Sequence, residues 1–177
     1  MTATTYNQLS DSALTLNDLS ERSVPELDKL YTQAAMPANM NALDGRPKGR
    51  MLAIRGVDRT PLAGLIRMIS KASLFPWGGK SFQSTNKKEG SGINRINFTL
   101  LQRNWFPFKT VVESSAIDGK QCIYLDYDLA GNPWFIRRIR DELREVSPGL
   151  FLGPAMWKEK SGDDATLLLW FAIDTRG

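Results

Sequence analysis

The residues of this chain that could act as acids, bases or ligand anchors fall into three short stretches. The first runs Trp77, Gly78, Gly79, Lys80, Ser81, Phe82. Two glycines after a tryptophan let the backbone turn sharply and swing the ring over the mouth of a barrel. Lys80 then enters a strand, where a desolvated ε-amine can serve as acid or base. The run fails as a nucleotide cradle. A phosphate loop needs the longer GxxxxGK[ST] frame between strand and helix, and here the expected helix precedes the glycines. The second stretch places Asn94 on one strand face with Ile96 and Phe98, as a ligand hydrogen-bonder facing an apolar interior. A one-residue slip in register would turn it outward. The third holds Tyr124, Asp126 and Tyr127, each an acid or base if burial shifts it, followed by Arg137, Arg138 and Arg140. Arg138 is the anion-binding candidate of that group. Most other aromatic residues are read simply as core.

What is missing narrows the chemistry further. The chain has no histidine, so it has no Ser-His-Asp or Cys-His nucleophile pair, no histidine zinc site and no proximal histidine for haem. Its single cysteine, Cys122, excludes an internal disulfide and any multi-cysteine metal site, and in a strand it reads as a buried structural thiol. No metal and no cofactor are expected. Hydrophobic residues at 42% and charged residues at 24% are globular values. A net charge of +4 lacks the dense basic stripe that marks nucleic-acid binding. The N-terminus has neither a basic start nor an apolar run, and no window approaches the roughly 18 apolar residues of a membrane span. Cytoplasm is the default compartment.

These residues must be held by elements the pattern predicts. Residues 1–22 are polar and read as a mobile N-terminal arm, although Leu9, Leu14, Leu16 and Leu19 suit a short docking helix. Residues 23–177 read as a single barrel domain with helical additions. Ser23 and Pro25 open a helix with Leu27, Leu30, Tyr31 and Ala34 on one face. Thr60 and Pro61 open another, striped by Leu62, Leu65, Ile66, Ile69 and Ala72. Strands follow at 50–54, 80–84, 92–100, 108–113 and 120–125, the last two joined by a hairpin at Asp118 and Gly119, and then at 150–157 and 166–173. Asn132 and Pro133 start a third helix that ends at Ser147, Pro148 and Gly149, inserted before the last two strands. Its arginines come early and its acids late, against the macrodipole, with Arg137–Asp141 and Arg138–Glu142 as compensating i,i+4 pairs. Residues 166–173 are apolar on both faces, so something covers the second one: the N-terminal helix, a partner subunit as in a homodimer, or a cavity. The fold class is α+β, mostly β: an antiparallel meander closing into a small barrel, with N-terminal helices and one inserted helix.

The turn from Trp77 to Phe82, the strand start Gly92-Ile93-Asn94, and the run from Leu125 through Asp126, Tyr127, Asn132-Pro133-Trp134 and residues 139–153 resemble an uncharacterised bacterial family of lipocalin-like (calycin) β-barrel proteins, over residues 48–174. A lipocalin's first strand carries Gly-x-Trp, where this chain has Phe75 for the glycine. The related haem-binding barrels use a histidine absent here, so the resemblance implies the fold and argues against haem. With the barrel come two functions. One is a carrier or sensor binding a small, largely apolar molecule, with Trp77 at the mouth and polar anchors among Lys80, Asn94, Tyr124, Asp126, Tyr127 and Arg138. The other is a cyclase or isomerase that folds a flexible apolar substrate by confinement. A third, salt-sensitive anion or nucleic-acid binding on the arginine helix, ranks last.

Overall fold

In the computed structural model, residues 13–54, 77–98, 101–159 and 164–177 are described. The helix expected from Thr60 and the residue Phe75 lie outside them. Helix α1 (Leu16–Ser20) is capped by Thr15, whose hydroxyl accepts from the Asp18 N–H at 3.2 Å. Helix α2 (Val24–Gln33) starts after Ser23 with Pro25 in its first turn, as the capping pattern predicts. The Glu26 carboxylate accepts from the Ser23 N–H and hydroxyl, and these bonds hold it down to about 2. Among the described residues no helix is long and apolar enough to cross a membrane.

The described strands are β1 (Lys48–Ile54), β2 (Trp77–Ser84), β3 (Glu89–Phe98), β4 (Leu101–Ser114), β5 (Gln121–Asp126), β6 (Ile139–Ser147), β7 (Leu150–Lys158) and β8 (Ala165–Asp174). They form one antiparallel meander in the order β1-β8-β7-β6-β5-β4-β3-β2. The sheet curls into a half-barrel. Lys80 on β2 meets Asp141 on β6 at 2.8 Å, although four strand spacings would put them about 19 Å apart in a flat sheet. At the two outer strands, Gly45 and Phe82 exchange a pair of backbone bonds at 3.0 Å, and the Asp44 carboxylate accepts from the Ser84 N–H at 2.6 Å. Arg95 reaches over to donate to the carbonyls of Arg46 and Pro47. Glycine is needed at this approach. A Cβ on Gly49 would stand 2.6 Å from the Gly79 Cα, and Gly79 itself has a φ of +100°.

The segment expected to be a helix from Asn132 to Ser147 is strand β6, preceded by a three-residue 3-10 turn, Ile136–Arg138. Every residue from Ile139 to Val146 except Asp141 is a good or tolerable helix former, which is what misled the pattern. The overriding signal is alternation: Arg140, Glu142 and Arg144 face one side, Asp141 and Leu143 the other. The anticipated i,i+4 pairs do not form. Arg137 pairs with Asp128 at 2.6 Å, and Arg140 with Glu142, two residues along the same face, at 2.6 Å.

The inner face of the curl and part of its outer face are covered. Inside lie Phe82, Phe108, Ile123, Leu125, Tyr127, Leu143, Phe151, Leu169, Phe171 and Ile173, with Met40 and Leu43 from a 3-10 turn, Met40–Leu43, closing in from one end. Outside, Leu19 of α1 and Leu27 and Tyr31 of α2 cover Leu150, Leu152, Trp170 and Ala172. The doubly apolar strand β8 is thereby explained: its second face lies under the N-terminal helices. Each large side chain buried there contributes about 1.5–3 kcal/mol.

The outer layer is pinned by charge. The buried Glu142 carboxylate accepts from Tyr31 at 2.7 Å, Ser115 at 2.5 Å, the Ala116 N–H at 2.9 Å and Arg140. The buried Arg144 forks onto Asp118 at 2.6 and 2.8 Å and lies over the Tyr31 ring. Cys122 sits beside this network, fully buried. Desolvation first, then the Glu142 charge, pushes its thiol up to about 12. Tyr31→Phe should cost about 1–3 kcal/mol by leaving Glu142 short of a donor, read by urea unfolding. Below pH 9 the folded thiol should resist labelling by a disulfide reagent and react at the rate of unfolding. Fast labelling of native protein would contradict that.

Candidate functional site

Two irregularities in the ladder aim side chains at one point inside the curl. Between Trp77 and Gly79 the β2–β3 register shifts past Gly78, after which Lys80 stands opposite Asn94. Between Ile93 and Asn94 the β3–β4 register skips Phe106, whose φ of 58° is left-handed. Such bulges bend a strand and redirect its side chains, and a non-glycine residue held left-handed costs about 1–3 kcal/mol. The Phe106 carbonyl accepts from the Asn94 amide at 3.2 Å. Tyr127 follows the end of β5, its backbone carbonyl held by Asn132 at 2.8 Å. Asp141 enters from β6.

At this point Lys80 uses all three of its N–H bonds. It donates to the Tyr127 hydroxyl oxygen at 2.6 Å, Asn94 Oδ1 at 2.8 Å and Asp141 Oδ2 at 2.8 Å. The Tyr127 hydroxyl donates to Asp141 Oδ2 at 2.9 Å, Asn94 donates to the Tyr127 oxygen at 3.1 Å, and Trp77 Nε1 donates to Asn94 Oδ1 at 3.2 Å. Four rings surround the ammonium, those of Trp77, Phe108, Tyr127 and Phe171, with centroids 5.1–5.4 Å from Nζ. One polar atom of the cluster is left over: Asp141 Oδ1 is buried and has no hydrogen-bond partner among the described residues.

The electrostatics follow from burial. Lys80 is 3% exposed, and the loss of hydration pulls its pKa below that of an ordinary lysine, against the opposing attraction of Asp141. Burial, then the Asp141 charge, holds the Tyr127 hydroxyl well above the normal phenol range. The cluster is thus an amine, a phenol and a carboxylate within proton-transfer distance, in an otherwise apolar setting.

Of the seven residues picked from sequence, Trp77, Lys80, Asn94 and Tyr127 meet here. Tyr124, Asp126 and Arg138 do not join them. Alternation along β5 turns Ile123, Leu125 and then Tyr127 inward, and Tyr124 and Asp126 outward. There the Tyr124 hydroxyl donates to Asp126 at 2.9 Å, and Arg140 lies over its ring. Arg138 stacks on Trp157 at 4.6 Å and donates to the Lys158 carbonyl. Sequence reasoning misses Asp141, which the helical pattern pairs with Arg137, and the cage rings Phe108 and Phe171. The alternation of Arg140, Glu142 and Arg144 was the signal that could have placed Asp141 on the inner face. A surface cleft of ≈ 360 Å³ lies elsewhere, between α1 and the β1–β8 edge, bounded by Asn17, Lys48, Asp174 and Arg176.

Because the ion pair is buried, Lys80→Met should lower stability by about 3–5 kcal/mol by stranding a carboxylate, while adding Asp141→Leu should recover most of that loss. Urea unfolding of the single and double variants reads this directly, and equal losses in both would show that the two charges are not coupled.

No protein-family model matches this chain, and no curated protein matches it. Among solved structures it is similar to a protein from Thermomonospora curvata, described only as a crystal structure. The two are 18% identical with a TM-score of 0.47, over 89% of this chain and 90% of the other.

Proposed function

We propose that this chain is a lipocalin-like binding protein, holding a small, largely apolar molecule inside the curled sheet with the Lys80 cluster as its polar anchor. The observation that carries this reading is the unpartnered Asp141 Oδ1. A buried carboxylate oxygen without a donor is costly, and a guest bearing a hydroxyl would supply that donor while its hydrocarbon part rests on Trp77, Phe108 and Phe171. Trp77 is only partly buried and meets Phe171 edge-on at 5.9 Å, so in this reading it is the wall that yields on entry. Removing about 200 Å² of apolar guest surface from water contributes about 5 kcal/mol before ordering costs. The strained Phe106 and the two bulges are devices found where a sheet positions a ligand.

One observation favours the second reading, a cyclase or isomerase. Lys80 and the Tyr127 hydroxyl both reach Asp141 Oδ2, at 2.8 and 2.9 Å, so a proton taken at one position can be returned at another. Recovery of a bound molecule unchanged favours the carrier; recovery of its isomer favours the enzyme.

Titration with decanol and with decane, followed by tryptophan fluorescence and native mass spectrometry, tests the binding. Decanol should saturate at one molecule per chain, and Asp141→Asn should weaken decanol about tenfold with decane little changed. Failure of either compound to saturate would sink the reading.

A further inference from the structure

We propose that Lys80 forms an imine with a small apolar aldehyde or ketone admitted to the interior. This names the substrate class for the site and rests on the binding reading above. The geometry suits the reaction at each stage. Lys80 Nζ is the one amine reaching Asp141, Tyr127 and Asn94 among the described residues, and its surroundings are aromatic rings rather than water. Desolvation of this kind favours the neutral, nucleophilic amine over the ammonium.

The step balances within the cluster. The ammonium gives one proton to Asp141, and the nitrogen lone pair attacks the carbonyl carbon, forming the C–N bond. The carbonyl π pair moves to its oxygen, which takes up the proton from Asp141 and becomes a hydroxyl. That hydroxyl leaves as water with a second proton from the nitrogen, and an iminium with one N–H remains. The net change is ammonium plus carbonyl to iminium plus water, with charge conserved.

The hydrogen-bond pattern tolerates this loss. Each acceptor that Lys80 would release keeps another donor: Asn94 Oδ1 retains Trp77 Nε1 at 3.2 Å, and the Tyr127 oxygen retains the Asn94 amide at 3.1 Å. The remaining iminium N–H can stay on Asp141 Oδ2, where the ion pair and the four ring faces serve a cationic iminium as they serve the ammonium. The hydroxyl of the intermediate finds an acceptor in Asp141 Oδ1, the atom without a partner. An amine kept solely as a structural cation would need none of these reserves.

The test is reductive trapping of the intact protein with limiting decanal and cyanoborohydride at neutral pH, followed by peptide mapping. The secondary amine should accumulate at Lys80 at least about tenfold faster than at the exposed Lys87, Lys88 and Lys109. The preference should vanish in urea, and Asp141→Asn, which removes the proton carrier of the step, should slow Lys80 alone. Adducts confined to exposed lysines, or spread evenly, would overturn the imine. Decanal that competes reversibly with decanol yet leaves Lys80 unmodified would do so while leaving the binding reading standing. Failure of decanal and decanol alike to bind would remove both. The wild-type map decides between these outcomes, whether or not the variant folds.

Discussion

The ion pair buried inside the curl, Lys80 with Asp141, constrains the rest of the molecule. Two charges moved out of water cost several kcal/mol each, and their attraction compensates only if the remaining donors and acceptors are met. Here the lysine side is met completely, by Asn94, Tyr127 and Asp141, and four ring faces add cation–π attraction. The pair also demands shape. Its members sit on β2 and β6, and only a strongly curled sheet brings them together. Curl, bulges and aromatic cage are parts of one solution to placing a charge inside a hydrocarbon interior.

The same sheet has an outer face that would be unstable if left to water, and the N-terminal helices cover it. Leu19, Leu27 and Tyr31 cover Trp170 and Ala172, while Glu142 and Arg144 tie the layer to β6 and the β4–β5 turn. Strand β6 therefore supplies charge to both sides: Asp141 and the apolar Leu143 inward, Arg140, Glu142 and Arg144 outward. Buried networks of this sort select one register, because a one-residue slip would bury the wrong charges on both faces at once.

Strain collects where the chemistry would be. Phe106 in a left-handed conformation, Gly78 outside the ladder and Gly79 at positive φ all flank Lys80 and Asn94. The close approach of Gly49 to Gly79 brings β1 alongside β2 without a continuous ladder, held instead by the Gly45–Phe82 bond pair and the Arg95 reach. Further register shifts lie between Met51 and Ile54, between Glu145 and Ser147 and between Ala155 and Met156, so the two bulges at the polar cluster belong to a sheet bent in several places.

By itself the sequence determined the mostly-β character, the hairpin at Asp118 and Gly119, and the cap and first turn of α2. Each of these depends on contacts within a few residues: turn chemistry, helix capping, or period-two patterning. It also marked Trp77, Lys80, Asn94 and Tyr127 as worth attention, because polar groups among apolar strand neighbours are conspicuous one at a time. The tertiary structure decided what those residues do together. The length from Ile139 to Ser147 mixes good helix formers such as Arg140, Glu142, Leu143 and Arg144 with an alternating pattern, and cross-strand pairing with β5 and β7 decides for the strand. That choice carries Asp141 to Lys80, sixty-one positions earlier in the chain. Alternation along β5 puts Tyr124 and Asp126 on the face away from Tyr127. Local propensity cannot register a partner four strands away, so the centre of the site had to wait for the fold.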